Sequence, residues 1–223
     1  VLSKLFELAL RAGKHVRTET TIGQNPTSIA SVAIQLVSQT MPDFTSAKIF
    51  VIGAGEMAEM ALAALRKRGV VQIRVANRTL ERAQLLADKF EGKAVAFEKL
   101  MECLGWADIV ITSTGAPHTI LDADIFTQVM GNRIERPIVL IDIAVPRDID
   151  ADVARVPGVR LYDLDMLEDY LGVSLGLRTQ QIPKVEQILE EYVHDFQEFL
   201  QMLDVYPLIA AIYQRAEAIR QSE

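Results

Sequence analysis

A chain of 223 residues, half of them hydrophobic, is long enough to bury one large core with flanking pieces. Its 30 acidic residues outnumber the 23 basic ones and no basic stripe is visible, which argues against a nucleic-acid backbone as the main partner of this segment. Cys103 is the only cysteine, which excludes an internal disulfide and a cysteine-rich metal site. No apolar run approaches the ~18 residues of a membrane span, so a soluble protein of a reducing, cytoplasmic compartment is expected.

The sequence opens on Val1 with Leu2, Leu5, Phe6 and Leu8 already at helical spacing, the pattern expected of a piece of a longer protein. Residues 2–12 and 26–40 predict amphipathic helices, joined by a polar connector from Gly13 to Asn25. Pro42 and Asp43 punctuate the chain before Ile49, Phe50, Val51 and Ile52, a run suited to a buried strand. From there strand-like runs at 71–76, 94–97, 108–112, 138–145 and 159–162 alternate with helical spacing at 56–68, 80–90 and 97–104. Strands apolar on both faces, alternating with helices, predict an α/β fold, a doubly wound parallel sheet with helices on both sides. Beyond it, Ile182, Val185, Ile188, Leu189, Tyr192, Val193, Phe196, Phe199, Leu200 and Leu203 recur at steps of three and four, the stripe of a long helix. Pro183 suits the first turn of such a helix, and Pro207 is expected to kink or break it. The domain expectation is therefore 1–44 as a helical connector, 45–172 as the sheet domain and 173–223 as a spine helix.

The first chemical signal is Gly53-Ala54-Gly55-Glu56-Met57-Ala58, placed directly after a strand and opening a helix. Gly53 permits a tight turn, Gly55 lets the backbone approach a pyrophosphate, and Ala58 lets the helix pack closely on the sheet, the fingerprint of a Rossmann-like dinucleotide site. The second signal stands at the end of the next strand, where an NAD-binding domain carries an acid for the ribose 2′-hydroxyl. Here the chain has Asn77-Arg78-Thr79, and a guanidinium beside short polar groups suits a 2′-phosphate, so NADPH is the expected cofactor. A bland alternative makes Thr79 a helix cap and leaves Arg78 merely solvated. The third signal, Thr112-Ser113-Thr114-Gly115-Ala116-Pro117-His118, follows the fourth strand at the edge where open α/β sheets bind ligands, and its hydroxyls and backbone, Ser113, Thr114 and Gly115 foremost, are expected to line the cofactor's ribose or nicotinamide. Topology puts residues 142–147, after the fifth strand, on the opposite wall. His118 reads as a loop histidine and Cys103, among Leu100, Met101 and Leu104, as a buried inert thiol. No residue is assigned a catalytic role. His15, His118 and His194 are far apart and show no metal-ligand spacing.

Gly13-Lys14-His15-Val16-Arg17-Thr18-Glu19-Thr20, the block from Val51 to Met57, the run Val75-Ala76-Asn77-Arg78-Thr79-Leu80-Glu81-Arg82-Ala83 and Asp142-Ile143-Ala144-Val145-Pro146-Arg147-Asp148-Ile149 together resemble the glutamyl-tRNA reductase family. The resemblance implies an enzyme that reduces glutamyl-tRNA to glutamate 1-semialdehyde with NADPH in tetrapyrrole (porphyrin) biosynthesis, in the cytoplasm or, in a plant, the plastid stroma. It also implies a catalytic domain before the NADPH domain and a helical dimerisation domain after it. The chain then runs from the end of the first into the spine. Glutamyl-tRNA would be held by a missing N-terminal domain, and a homodimer would form through a missing C-terminal domain. The family's nucleophilic cysteine lies in a Ser-x-Cys-Asn-Arg-Thr-Glu motif that these residues do not contain, so the piece alone is expected to be inactive. Ala76-Asn77-Arg78-Thr79 echoes that motif but has alanine where the cysteine would stand. Two rival expectations are the cofactor domain of another NADP-dependent dehydrogenase, such as a shikimate dehydrogenase relative, and a non-enzymatic nucleotide-sensing or partner-docking module.

Overall fold

The first helix, α1 (Leu2–Glu19), runs through most of the stretch expected to be a polar connector. Leu8, Ala12 and Val16 are buried at four-residue steps, so the apolar stripe continues under the polar residues and carries the helix with it. Thr20 ends the helix, donating both its backbone N–H and its hydroxyl to the Val16 carbonyl. The second helix, α2 (Ile29–Thr40), starts at a capping box in which Ser28 and Ser31 each accept a hydrogen bond from the other's backbone N–H. The computed structural model describes residues 1–24, 26–41, 45–133 and 136–222; Asn25, Pro42 and Asp43, read above as connector and punctuation, lie outside the described residues.

The chain divides into two compact units, Pro26–Ser174 and a second made of Val1–Asn25 with Leu175–Glu223. The first holds a six-stranded sheet, every neighbouring pair parallel: β1 (Lys48–Ile52), β2 (Gln72–Ala76), β3 (Lys93–Val95), β4 (Ile109–Thr112), β5 (Ile138–Asp142) and β6 (Val159–Asp163). Their order is β3-β2-β1-β4-β5-β6, so the chain reverses its direction of travel across the sheet at β1 and β4. The helices α3 (Glu56–Arg66), α4 (Leu80–Lys89), α5 (Leu100–Trp106) and α6 (Ala123–Gly131) connect the strands. Alternate residues of each central strand serve opposite faces. Ile49, Val51, Ile109 and Ile111 pack with Leu36, Leu62 and Leu65 from α2 and α3, whereas Phe50, Ile52, Val110 and Leu140 pack with Leu104 and Phe126 from α5 and α6. This is the expected doubly wound α/β arrangement.

The long helix, α7 (Leu164–Ser222), begins as β6 ends, with Asp163 accepting from the Met166 N–H at 2.9 Å. It therefore starts well before Pro183, because Leu164, Leu167 and Leu171 already carry a helical period that Gly172 and Gly176 obscure in the sequence. Pro207 does not break the helix. A proline removes one N–H and leaves the carbonyl four residues earlier to solvent; on an exposed helix that cost is bearable. In the second unit Tyr192 meets His15 ring edge to face, Lys184 donates to the Glu19 carbonyl at 2.6 Å, and Ile188 is buried. No helix among the described residues is long and apolar enough to cross a membrane.

Candidate functional site

The turn from β1 into α3 is fixed by Gly53. Its φ is +108°, a region that disfavours side chains, and a Cβ there would lie 2.2 Å from the Ser113 carbonyl oxygen. Ser113 in turn donates its N–H to the Ile52 carbonyl, so the β1 and β4 loops touch backbone to backbone at this point. Ala58 is fully buried against the sheet, as close helix packing requires. Gly55 stands at the N-cap of α3 with no side-chain cap, and a Cβ on it would meet nothing within 4 Å. The first turn of α3 thus presents backbone N–H groups beside open space, the geometry that accepts a phosphate.

Beside this turn lies a cleft of about 540 Å³, within the range of small-ligand sites. Of the residues expected to bind cofactor, Asn77, Arg78 and Thr79 after β2 and Thr114 and Gly115 after β4 line it. Gly53 and Ala58 act from within the fold, and Ser113 forms the contact behind the turn. Ala54 lines a smaller hollow of about 360 Å³ with Glu59, Arg82 and Lys89. Glu56 and Met57 occupy the first turn of α3.

Ile52, at the start of the fingerprint, and Ala116, in the loop after the fourth strand, line the cleft as well, and four further cleft residues, Arg82, Phe97, Glu98 and Ile120, carried no assignment in the sequence. Arg82 had a fainter signal, a second guanidinium close after Arg78 in the first turn of α4. Neither guanidinium makes a hydrogen bond or ion pair among the described residues. Thr79 is the N-cap of α4 but its side chain makes no capping bond; Asn77 instead donates its amide to the Thr79 carbonyl at 3.1 Å. The two arginines and Glu98 leave the cleft one positive charge in excess, which favours an anionic ligand.

The wall after β4 is built differently. Asp148 is fully buried, and its carboxylate accepts both the Thr114 N–H, at 2.8 Å, and the Thr114 hydroxyl. The Thr114 oxygen accepts from the Ala116 N–H at 3.1 Å. Asp142, 1% exposed, takes the Thr112 hydroxyl and the N–H groups of Ala144, Asp148 and Ile149. Residues 142–147 therefore do not line the cleft as topology led one to expect; Asp142 holds its wall from behind. Burial pushes the Asp148 carboxyl above its ordinary value, with Asp142's charge adding to the shift, against the lowering effect of the Thr114 bonds. Arg147 is drawn outward, paired with Asp163 at 3.0 Å and with Asp165. His118 is exposed and lies outside the cleft, and Cys103 is fully buried. Among the described residues no group of three His, Cys, Asp or Glu side chains is placed to hold a metal ion.

Residues 35–170 match the family described as shikimate / quinate 5-dehydrogenase, and residues 184–223 match the glutamyl-tRNA(Glu) reductase dimerisation domain. The chain is 41% identical to a glutamyl-tRNA reductase of Pelotomaculum thermopropionicum, across 100% of this chain and 50% of that protein. It is 40% identical to one of Trichlorobacter lovleyi, across 100% of this chain and 51% of that one. The chain belongs to the glutamyl-tRNA reductase family. A glutamyl-tRNA reductase from Methanopyrus kandleri superposes on it with a TM-score of 0.88 at 36% identity, covering 94% of this chain and 53% of that one. The chain thus spans about half the length of the glutamyl-tRNA reductases it matches. The shikimate-type match falls on the unit that holds the sheet, whereas the reductase relatives run through both units.

Proposed function

We propose that this chain is the NADPH-binding portion of a glutamyl-tRNA reductase, the enzyme that reduces glutamyl-tRNA to glutamate 1-semialdehyde in tetrapyrrole biosynthesis. The carrying observation is the pair Arg78 and Arg82 in the cleft, free of carboxylate partners among the described residues, where an NAD domain would present an acid. The first-turn N–H groups of α3 would hold the pyrophosphate, the two guanidiniums the 2′-phosphate, and Asn77 and Thr79 the neighbouring ribose. When bound, NADPH supplies a hydride. This chain's own part is to anchor the phosphates and fix the cofactor's position. Cys103, enclosed by the core, offers no accessible thiolate for covalent capture of an acyl group. The chain alone therefore holds cofactor without turning over glutamyl-tRNA. In the intact cytoplasmic enzyme, the segment matched to the dimerisation domain joins a homodimer, and the tRNA is held by another part of the protein.

Calorimetric titration of the chain with NADPH and NADH tests the reading. Arg78→Ala is expected to weaken NADPH by about 1.5–3 kcal/mol, the range for a hydrogen bond to a charged group, and to leave NADH nearly unchanged. Equal losses for the two nucleotides would remove the NADPH assignment.

A further inference from the structure

The cleft wall after β4 is held by a carboxylate that never reaches the cleft. Asp148 lies six residues past the end of β5, is 0% exposed, and directs both side-chain oxygens at one residue, Thr114. Its backbone carbonyl accepts from the N–H groups of Ile120, at 2.7 Å, and Leu121, at 3.1 Å. Thr114 and Ile120, which Asp148 holds directly, both line the cleft, as do Gly115 and Ala116 beside Thr114. Asp148 is itself pinned by Asp142, which accepts its N–H at 2.9 Å and ties it to Thr112 at the end of β4.

Burying a second carboxylate beside Asp142 is unfavourable, and hydrogen bonds to a fully desolvated acid only offset part of that cost. A wall that needed only to be closed could be packed with apolar side chains. The bonds formed by these two acids converge instead on the segment facing the ligand. We propose that Asp148 is a positioning residue of the nucleotide site: through Thr114 it sets the backbone of Thr114–Gly115–Ala116 at the height where the cofactor's adenosine half packs against it. The proposal rests on the dinucleotide reading of the cleft. Thr114 is the coupling residue, because its hydroxyl O–H donates to Asp148 while the same oxygen accepts from the Ala116 N–H, so one hydroxyl orients two neighbours.

An asparagine at 148 keeps the acceptor for the Thr114 N–H but turns an N–H₂ donor toward the Thr114 hydroxyl, whose proton then has no partner. The test titrates NADPH and NADH against the chain and its Asp148→Asn, Thr114→Val, Thr114→Ser and Asp148→Asn/Thr114→Val variants, with thermal melting of each. Asp148→Asn and Thr114→Val are each expected to lower affinity for both nucleotides about tenfold, the effect of one lost hydrogen bond. Thr114→Ser, which returns the hydroxyl, is expected to recover most of the loss. The double variant is expected to bind no more weakly than the weaker single one, because both break the same link. A role confined to stability would lower the melting temperature and leave affinity alone. Wild-type affinity in folded Thr114→Val, or losses that multiply in the double variant, would overturn the proposal, and the threonine variants decide it even where Asp148→Asn does not fold. Should the unsubstituted chain bind neither nucleotide, the dinucleotide reading itself falls, an outcome distinct from variants that bind as tightly as the parent.

Discussion

The two walls of the cleft use polar groups in opposite ways. The wall after β2 presents Arg78 and Arg82 with their guanidiniums uncommitted among the described residues, while the wall after β4 commits the polar groups of Thr112, Thr114, Asp142 and Asp148 to one another. A surface that must recognise a charged ligand keeps its donors available, and solvent satisfies them until the ligand arrives. A surface that must offer a fixed shape satisfies them internally and loses the freedom to rearrange. Selectivity between nucleotides is therefore expected from the first wall, and shared affinity from the second.

The largest expected effect strikes where the walls share a support. Gly53→Val forces a side chain into a positive-φ position and against the Ser113 carbonyl, so it is expected to cost more than about 2 kcal/mol of stability and to lower the melting temperature by several degrees. A melting temperature equal to the parent's would mean the turn can re-form without glycine, and the backbone contact between the loops is not a constraint. A sharper result is expected from Arg78→Ala combined with Arg82→Ala, which should erase the preference for NADPH over NADH. Retention of that preference in calorimetry would move the discrimination to a different wall. Gly55→Val makes the complementary case: a Cβ there meets nothing within 4 Å, so the melting temperature should fall less than for Gly53→Val while both nucleotides weaken alike by at least about tenfold. Selective loss of one nucleotide would show that Gly55 does not face the shared pyrophosphate.

The smallest effect concerns the internally satisfied wall and pH. Asp148's carboxyl is held above its ordinary value in the folded chain, chiefly by burial. Between the ordinary and the raised values the folded chain binds more protons than the unfolded one, so this group adds stability as pH falls through that window and withholds it above. The melting temperature of the parent relative to Asp148→Asn should therefore rise on moving from neutral into acid pH. A difference that stays constant or shrinks as pH falls would mean that Asp148 does not take up the proton in the folded chain.

The strand runs and the Gly53–Ala58 turn were legible because both depend on local rules: β-branched runs of strand length, and glycine where the backbone must turn or be approached. Arg78 was legible because it occupies a position that topology makes chemical. The continuation of α1 to Glu19 was hidden, since a stripe of Leu8, Ala12 and Val16 is narrow and lies among charged residues. The start of α7 was hidden for a similar reason, two glycines interrupting its apolar period. Phe97 and Glu98, in one short helical turn after β3, and Ile120, after β4, come together at the cleft only through packing, and no spacing in the chain encodes that meeting. Asp148 stands in a run that resembles the family, but its bond to Thr114 spans 34 residues, a separation that no local pattern signals.

The sheet order has one more consequence for the cleft. The loops that carry its two walls leave β2 and β4, and these strands are separated by β1 alone. Neighbouring strands lie about 4.8 Å apart, so the roots of the walls stand roughly 10 Å from each other, a distance fixed by backbone hydrogen bonds. Side chains on the loops can alter what the opening recognises, but its gauge is ruled by the ladder beneath. Redesign toward a bulkier ligand would have to lengthen or tilt the loops, because widening the slot at its base would mean unzipping β1.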